Sequence, residues 1–265
     1  MIETRPIITI RDLKKSYDGK NYVLRDIDLD IFPGQIIGYI GPNGAGKTTT
    51  VKILIGMLSD FEGEVTVFGL NVAERPLEVK QRIGYVPETA ALYDTLTPLE
   101  YLRFIGQIYG ISREETEARS LKMLEQFGLK SEADVRMNAF SKGMKQKVLI
   151  VAGMIHDPDI LFLDEPLAGL DANTAIVIKE ILAQLAVEGK TIFYCSHIMD
   201  VVERICNRII IIDKGVVIAN GTFDELQAMN KGISLERIFS QLTGSSGHAE
   251  KAQDIISAFH RKEAE

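Results

Sequence analysis

The sequence predicts an α/β protein: a mainly parallel sheet, an N-terminal antiparallel β subdomain beside it, and an inserted α-helical subdomain. Three observations predict it. Short β-branched runs alternate with helical patterns along the chain. Most of those runs are apolar without interruption, as strands buried on both faces must be. Between residues 97 and 156 no strand candidate occurs.

Taken in order, the strand candidates are "IITIRDL" (7–13), "QIIGYI" (35–40), "EVTVFG" (64–69), "RIGYVP" (82–87), "DILFLDE" (159–165), "KTIFYCS" (190–196) and "RIIIIDKG" (208–215), all read as strands of the parallel sheet. The stretch "VLRDIDLDIF" (23–32) instead alternates apolar and polar residues, which suits an antiparallel sheet with one wet face. Thr97 with Pro98 and Glu100 forms a capping box with Pro at the first helical position, and Ser112 with Glu115 forms another. The chain after Gly221 is helical, starting at Thr222 with Glu225, and passes through the linker "TGSSG" (243–247) to an amphipathic end carrying Ile255, Ile256 and Phe259. No internal repeat is present.

Composition narrows the function classes. With 265 residues, 46% of them hydrophobic, the chain builds one large domain with room for a small appendage. The net charge of −7 and the scatter of Lys and Arg disfavour a phosphate-backbone partner, so no nucleic acid is expected. The longest apolar run, "VLIVAGMI" (148–155), is far shorter than the roughly 18 residues of a membrane span. The N-terminus lacks a signal pattern, and the chain reads as soluble and cytosolic. Cys195 and Cys206 lie outside any CxxC or His cluster and are read as buried, reduced thiols.

The chemistry begins at "GYIGPNGAGKTTT" (38–50). Here G-x-x-x-x-G-K-T runs from Gly41 to Thr48, directly after an apolar strand and before a periodic helix. Gly41, Pro42, Asn43, Gly44, Ala45 and Gly46 let the backbone curl so that successive N–H groups and the helix dipole face a phosphate. Lys47 reaches toward β- and γ-phosphates, the Thr48 hydroxyl is a Mg²⁺ ligand, and Thr49 completes the loop. In "DILFLDEP" (159–166), four apolar residues bring Asp164 to the carboxyl end of a strand, where open α/β sheets bind ligands. Asp164 is placed to hold Mg²⁺ through water, and Glu165 to polarise an attacking water. Kinases, GTPases and motor ATPases share these two motifs.

The stretches "FSKGMKQK" (140–147), "ILFLDEPLAGLD" (160–171) and "YCSHIMDVVE" (194–203) resemble the ATP-binding cassette (ABC) family in order and spacing, over about residues 7–225. The resemblance implies an ABC ATPase domain over 5–225, with its helical subdomain at about 90–156 and a C-terminal tail at 226–265. It implies a P-loop ATPase that powers transport, export rather than import, through a permease on a separate chain. ATP and Mg²⁺ would be held between two cassettes, as a homodimer or a heterodimer, peripheral on the cytoplasmic face of the membrane. Ser141 and Gly143 match the signature residues that bind the γ-phosphate of the other subunit's nucleotide, although Phe140, Lys142 and Met144 depart from the usual pattern. Tyr17 matches the aromatic that stacks on adenine, Asp171 the loop touching the opposite subunit, and His197 the histidine that contacts the γ-phosphate. Glu88 stands where many members carry a Mg²⁺-binding Gln; "SKGMKQ" and "SLERIFSQLT" (234–243) share the likeness to single-cassette exporters. Read from the residues alone, Ser141 is an N-cap, Tyr17 a sheet aromatic and His197 a cap or surface residue. A soluble ABC ATPase of translation or DNA maintenance is the alternative. A P-loop kinase lacks support here, and a GTPase lacks its guanine-reading Asn-Lys-x-Asp.

Overall fold

The computed structural model describes residues 5–89, 92–229 and 233–244. The amphipathic segment with Ile255, Ile256 and Phe259, and most of the 243–247 linker, lie outside the described residues.

Strands β1 (Ile8–Ser16), β2 (Tyr22–Ile31), β4 (Glu62–Val67) and β5 (Leu70–Asn71) form an antiparallel sheet in the order β2-β1-β4-β5. Strands β3 (Ile36–Ile40), β6 (Ile83–Val86), β7 (Ile160–Asp164), β8 (Thr191–Cys195) and β9 (Arg208–Asp213) run parallel. With β10 (Val216–Gly221) antiparallel at one edge, the second sheet has the order β10-β9-β3-β8-β7-β6.

Unbroken apolar strands are buried on both faces because each face meets its own core. Ile37, Tyr39, Phe162, Phe193 and Ile210 pack toward the antiparallel sheet and helix α1 (Lys47–Leu54). Their neighbours Ile36, Ile40, Leu161, Tyr194 and Ile211 pack the opposite way, in a core shared with helices α3 (Pro98–Ile108), α4 (Arg113–Gln126) and α5 (Lys142–Met154). That same core takes Ile178 of α6 (Ala172–Val187), Val202 of α7 (Met199–Ile205), Leu226 of α8 (Phe223–Met229), and Leu235 and Ile238 of α9 (Leu235–Leu242).

Two sequence readings are corrected. The runs at 7–13 and 64–69 belong to the antiparallel sheet, where Ile8 faces Val67 and Ile10 faces Val65. Thr9 and Thr66, β-branched but only half-buried, gave these half-wet strands the look of continuous apolar ones. The run 208–215 ends earlier than read. Lys214 (φ 47°) and Gly215 (φ 81°) make a two-residue turn with both φ angles positive, and β10 returns along β9. Phe68 (φ 56°) and Gly69 (φ 72°) do the same between β4 and β5.

The caps follow the sequence with one exception. Thr97 and Glu100 exchange both hydrogen bonds, as do Thr222 and Glu225. Ser112 accepts from the Glu115 amide, but the Glu115 carboxylate pairs with Arg119 one turn on instead of returning to the cap.

Glycine fixes how closely α5 lies on β6. A Cβ on Gly84 would overlap the Gly153 carbonyl oxygen and sit 2.8 Å from Leu161 Cδ1; one on Gly153 would meet Val86 Cγ2 at 2.8 Å. Backbone cannot yield as a flexible side chain can. Gly84→Ala is therefore expected to cost about 3 kcal/mol, a Tm lowered by roughly 6–10 °C for a chain of this size. Scanning calorimetry checks it, and an unchanged melt would mean that α5 lifts from β6 freely.

Candidate active site

The loop between β3 and α1 is clamped before any ligand is considered. The Gly215 amide donates to Ala45 O at 3.0 Å, tying the loop to the β9–β10 turn. A Cβ on Gly46 would meet Leu24 Cδ2 at 2.5 Å, and one on Gly41 would overlap Ile212 O. Gly44 (φ 79°) and Gly46 (φ 108°) take left-handed conformations that side chains resist. Gly46 is the N-cap of α1 and brings no side chain to its first-turn amides, the property that suits such a terminus to an anion. Lys47 arches back, its ammonium donating to Gly41 O at 2.7 Å and Pro42 O at 3.1 Å.

A cavity of about 520 Å³ opens over this loop. It is lined by the predicted Gly41, Pro42, Asn43, Gly44, Gly46, Lys47, Thr48, Thr49, Glu88, Asp164, Glu165 and His197. Ala45 does not line it: the side chain is 2% exposed and turned into the core beneath the loop, so this residue contributes backbone alone. Tyr17 stands at the edge, 61% exposed, its hydroxyl 3.3 Å from Thr49 Oγ1 and the Lys15 ammonium 5.0 Å from its ring centre.

The acidic pair sits where β7 stops. Asp164 is 3% exposed and accepts from the Thr48 hydroxyl at 3.3 Å. Burial, and then the neighbouring Glu88 and Glu165 carboxylates, push its pKa up against the Thr48 hydrogen bond. Glu165 is 8% exposed and has φ 48°, a left-handed turn that swings its side chain away from the strand's alternation. Its Oε2 accepts from Ser196 Oγ at 3.0 Å, and its Oε1 lies 2.6 Å from His197 Nδ1. The pair is thus buried and partnered, not a solvated strand end.

The donor set fits Mg²⁺ bound partly by a substrate. Among the described residues no cluster of three or more His, Cys, Asp or Glu could hold a metal by itself. Mg²⁺ usually takes one or two carboxylates, with waters and phosphate oxygens completing its shell. Thr48 and Asp164, with Glu88 lining the same cavity, supply that kind of half-shell.

Ser141, Gly143 and Asp171 do not line the cavity. They make a second locus. Ser141 is the N-cap of α5, its Oγ accepting from the Met144 amide at 3.2 Å. Asp171 caps α6, accepting from the Thr174 amide at 2.9 Å and the Thr174 hydroxyl at 2.6 Å, with the Lys147 ammonium 3.5 Å away. The Thr174 hydrogen bonds hold the Asp171 carboxyl well below its usual range. The buried Gln146 amide donates to Pro166 O at 3.3 Å, joining α5 to the segment that leaves Glu165.

Sequence reasoning did not single out Val23, Ser196, Met199 or Phe239. Val23, Met199 and Phe239 line the cavity, and Ser196 orients Glu165. Ser196 adjoins His197 in a strand-end "CSH", a signal that could have found it. Phe239 comes from a helix far along the chain, and no local pattern marks it.

A family model described as ABC transporter matches residues 24–168. The ABC transporter ATP-binding protein NatA of Bacillus subtilis is 40% identical over 238 residues, covering 88% of this chain and 96% of that protein. The linearmycin resistance ATP-binding protein LnrL of the same organism is 39% identical, covering 83% of this chain and 70% of that protein. A Nod factor export ATP-binding protein of Cupriavidus metallidurans is 36% identical, covering 88% and 77%. Among solved structures, an ATP-binding subunit of an ABC transporter superposes with a TM-score of 0.84 at 34% identity, over 89% of this chain and 99% of that one. A dimeric ATP-binding cassette in a post-hydrolysis state with ADP and Pi gives 0.76 at 27% identity, over 81% and 98%.

Proposed function

The chain belongs to the ABC transporter family as an ATP-binding, ATP-hydrolysing subunit, and from that premise we propose that it drives export through a permease on a separate chain, by closing two copies of itself around ATP. The observation that carries this reading is the division of the site. Gly41–Gly44, Gly46–Thr49, Asp164, Glu165 and His197 share one cavity, while Ser141 and Gly143 lie outside it in the same chain and are free to complete the cavity of a second copy. A homodimer is the simpler assembly because one chain holds every residue of both halves.

In the closed pair, the loop amides and Lys47 hold the β- and γ-phosphates, and Tyr17 stacks on the adenine. Glu165, oriented by Ser196, takes a proton from a water as its oxygen bonds to the γ-phosphorus and the bond to ADP breaks. Lys47, His197 and the partner's signature amides offset the negative charge that develops on the transferred group. Thr48, Asp164 and Glu88 would hold Mg²⁺, which when bound neutralises phosphate charge. Asp171, fixed at the start of α6, meets the opposite copy.

The relatives named for Nod factor export and linearmycin resistance support outward transport, as do Glu88 and "SKGMKQ". Among the described residues no helix is long and apolar enough to cross a membrane, so the reading assigns the transport path to another polypeptide. An apolar groove of about 570 Å³ is walled by Met57, Leu77 and Tyr85 and by Ile105 and Ile108 of α3. It supports docking of the permease's cytoplasmic segment, with the assembly peripheral on the cytoplasmic membrane face.

The test is co-purification. Tagged Glu165→Gln, expressed in its native host and solubilised in mild detergent with Mg-ATP, is expected to bring down a stoichiometric polytopic membrane protein. Recovery in the soluble fraction, alone or with ribosomes or DNA, would overturn the transporter reading in favour of a soluble ABC ATPase.

A further inference from the structure

We propose that Phe239, on the C-terminal helix α9, is a positioning residue that holds His197 against the hydrolytic site; the inference rests on the reading of that site given above.

Around His197 the chain is held by the Ile198 amide, which donates to Ser196 Oγ at 3.1 Å, and by Val201 and Val202, buried in the core; His197 itself is held less. Its side chain is 72% exposed and is tied by the hydrogen bond to Glu165. Helix α7, which follows, is short, and its N-cap Ile198 has no side chain able to cap the first turn. Two cavities flank the segment. The nucleotide cavity has His197 and Met199 in its wall, and a second cavity of about 670 Å³ is lined by residues 197–200 on one side and by Glu236, Arg237, Phe239 and Ser240 on the other. Phe239 borders both.

Helix α9 is well placed to brace that segment. Leu235 and Ile238 are fully buried in the main core, and they anchor the helix. Phe239 lies four residues after Leu235 and next to Ile238, so it shares their apolar face at its margin and, half-buried, packs against the same core as Met199. A rigid aromatic on an anchored helix limits how far the His197 segment can withdraw. Removing it enlarges both of the cavities that border His197 and Met199. A misplacement of about 1 Å at a reacting centre can lower a rate roughly a hundredfold; for a group acting through another, roughly tenfold is expected.

Phe239→Ala is therefore expected to lower kcat roughly tenfold while the affinity for Mg-ATP stays within about twofold. The His197 imidazole resonance, identified among the chain's four histidines by its loss in His197→Ala, is expected to shift. Phe239→Leu should restore most of kcat, and Leu242→Ala, on the same helix beyond the cavity, should leave kcat in place. Should Phe239→Ala fail to melt cooperatively, Phe239→Val takes its place with the same readouts. An unchanged kcat overturns the proposal. So does weakened Mg-ATP affinity with kcat unchanged, which would make Phe239 a nucleotide contact, or an equal loss in Leu242→Ala, which would make the effect one of helix stability. His197→Ala separates the two readings. Hydrolysis by His197→Ala at the wild-type rate would remove His197 from the site and the present inference with it. A slow His197→Ala beside a wild-type-like Phe239→Ala would overturn the present inference alone.

Discussion

Glu165→Gln should lower ATP turnover roughly 10²–10³-fold while leaving nucleotide binding and the fold intact. The substitution removes the ability to take a proton and little else. Gln has the same length and shape, and its amide can still meet the Ser196 hydroxyl and the His197 ring that now hold the carboxylate at 3.0 and 2.6 Å. The φ of 48° belongs to the backbone, and nothing in the exchange of oxygen for NH₂ alters it. The phosphate loop is clamped from Gly215, Leu24 and Ile212, whereas the Glu165 carboxylate bonds to Ser196 and His197, so affinity for ATP has no reason to fall. Binding without turnover should leave the closed pair standing. Sedimentation of Glu165→Gln should show a dimer with Mg-ATP and a monomer without it, whereas the wild type returns to monomer as ATP is consumed. Turnover at the wild-type rate would remove Glu165 as the base. A chain monomeric in both conditions at high concentration would argue against self-pairing.

The parts of the fold legible in the sequence are those whose physics is local. Strands β3, β7, β8 and β9 read as continuous apolar runs because both of their faces are covered, and each run ends where the chain turns toward the site. The phosphate loop was legible because its Gly positions, its Lys47 and its flanking strand and helix each have a separate reason to be there. Strands β1 and β4 read as members of the parallel sheet because Thr at their wetter positions hides a period of two. Strand β10 does not stand out in the sequence, although Lys214-Gly215 is a turn signal and "VVIANG" alternates in burial. The site divides in the same way. Asp164 and Glu165 could be placed at a strand end, but that they are buried, and that Ser196 and His197 converge on Glu165, depends on β8 pairing beside β7. Phe239 depends on where a distant helix packs, which no spacing within "SLERIFSQLT" encodes.

The remaining large effect is expected at Gly143, where a methyl group should slow hydrolysis at least tenfold while hardly changing stability. A Cβ there would stand 2.7 Å from Gly169 O, closer than real Cβ atoms approach backbone oxygen. One side must move, and neither is free. The 166–171 segment is held at its start by the Gln146 amide on Pro166 O and at its end by Asp171, which caps α6 and pairs with Lys147. If that segment gives way, Asp171 moves. If the first turn of α5 lifts instead, Ser141 loses its hold on the Met144 amide, and the second locus no longer presents one surface. Stability is buffered because Ala in place of Gly favours a helix by about 1 kcal/mol, which offsets part of the clash at a residue only half-buried. The nucleotide cavity contains none of these residues, so a single chain should bind Mg-ATP within about twofold of wild type while turnover falls at least tenfold, the change being confined to what one copy offers another. In the Glu165→Gln background the same substitution should abolish the ATP-dependent dimer seen by sedimentation. If Gly143→Ala retains both turnover and dimer, the second locus does not complete the partner's site, and a binding defect in the isolated chain would place Gly143 beside its own nucleotide instead.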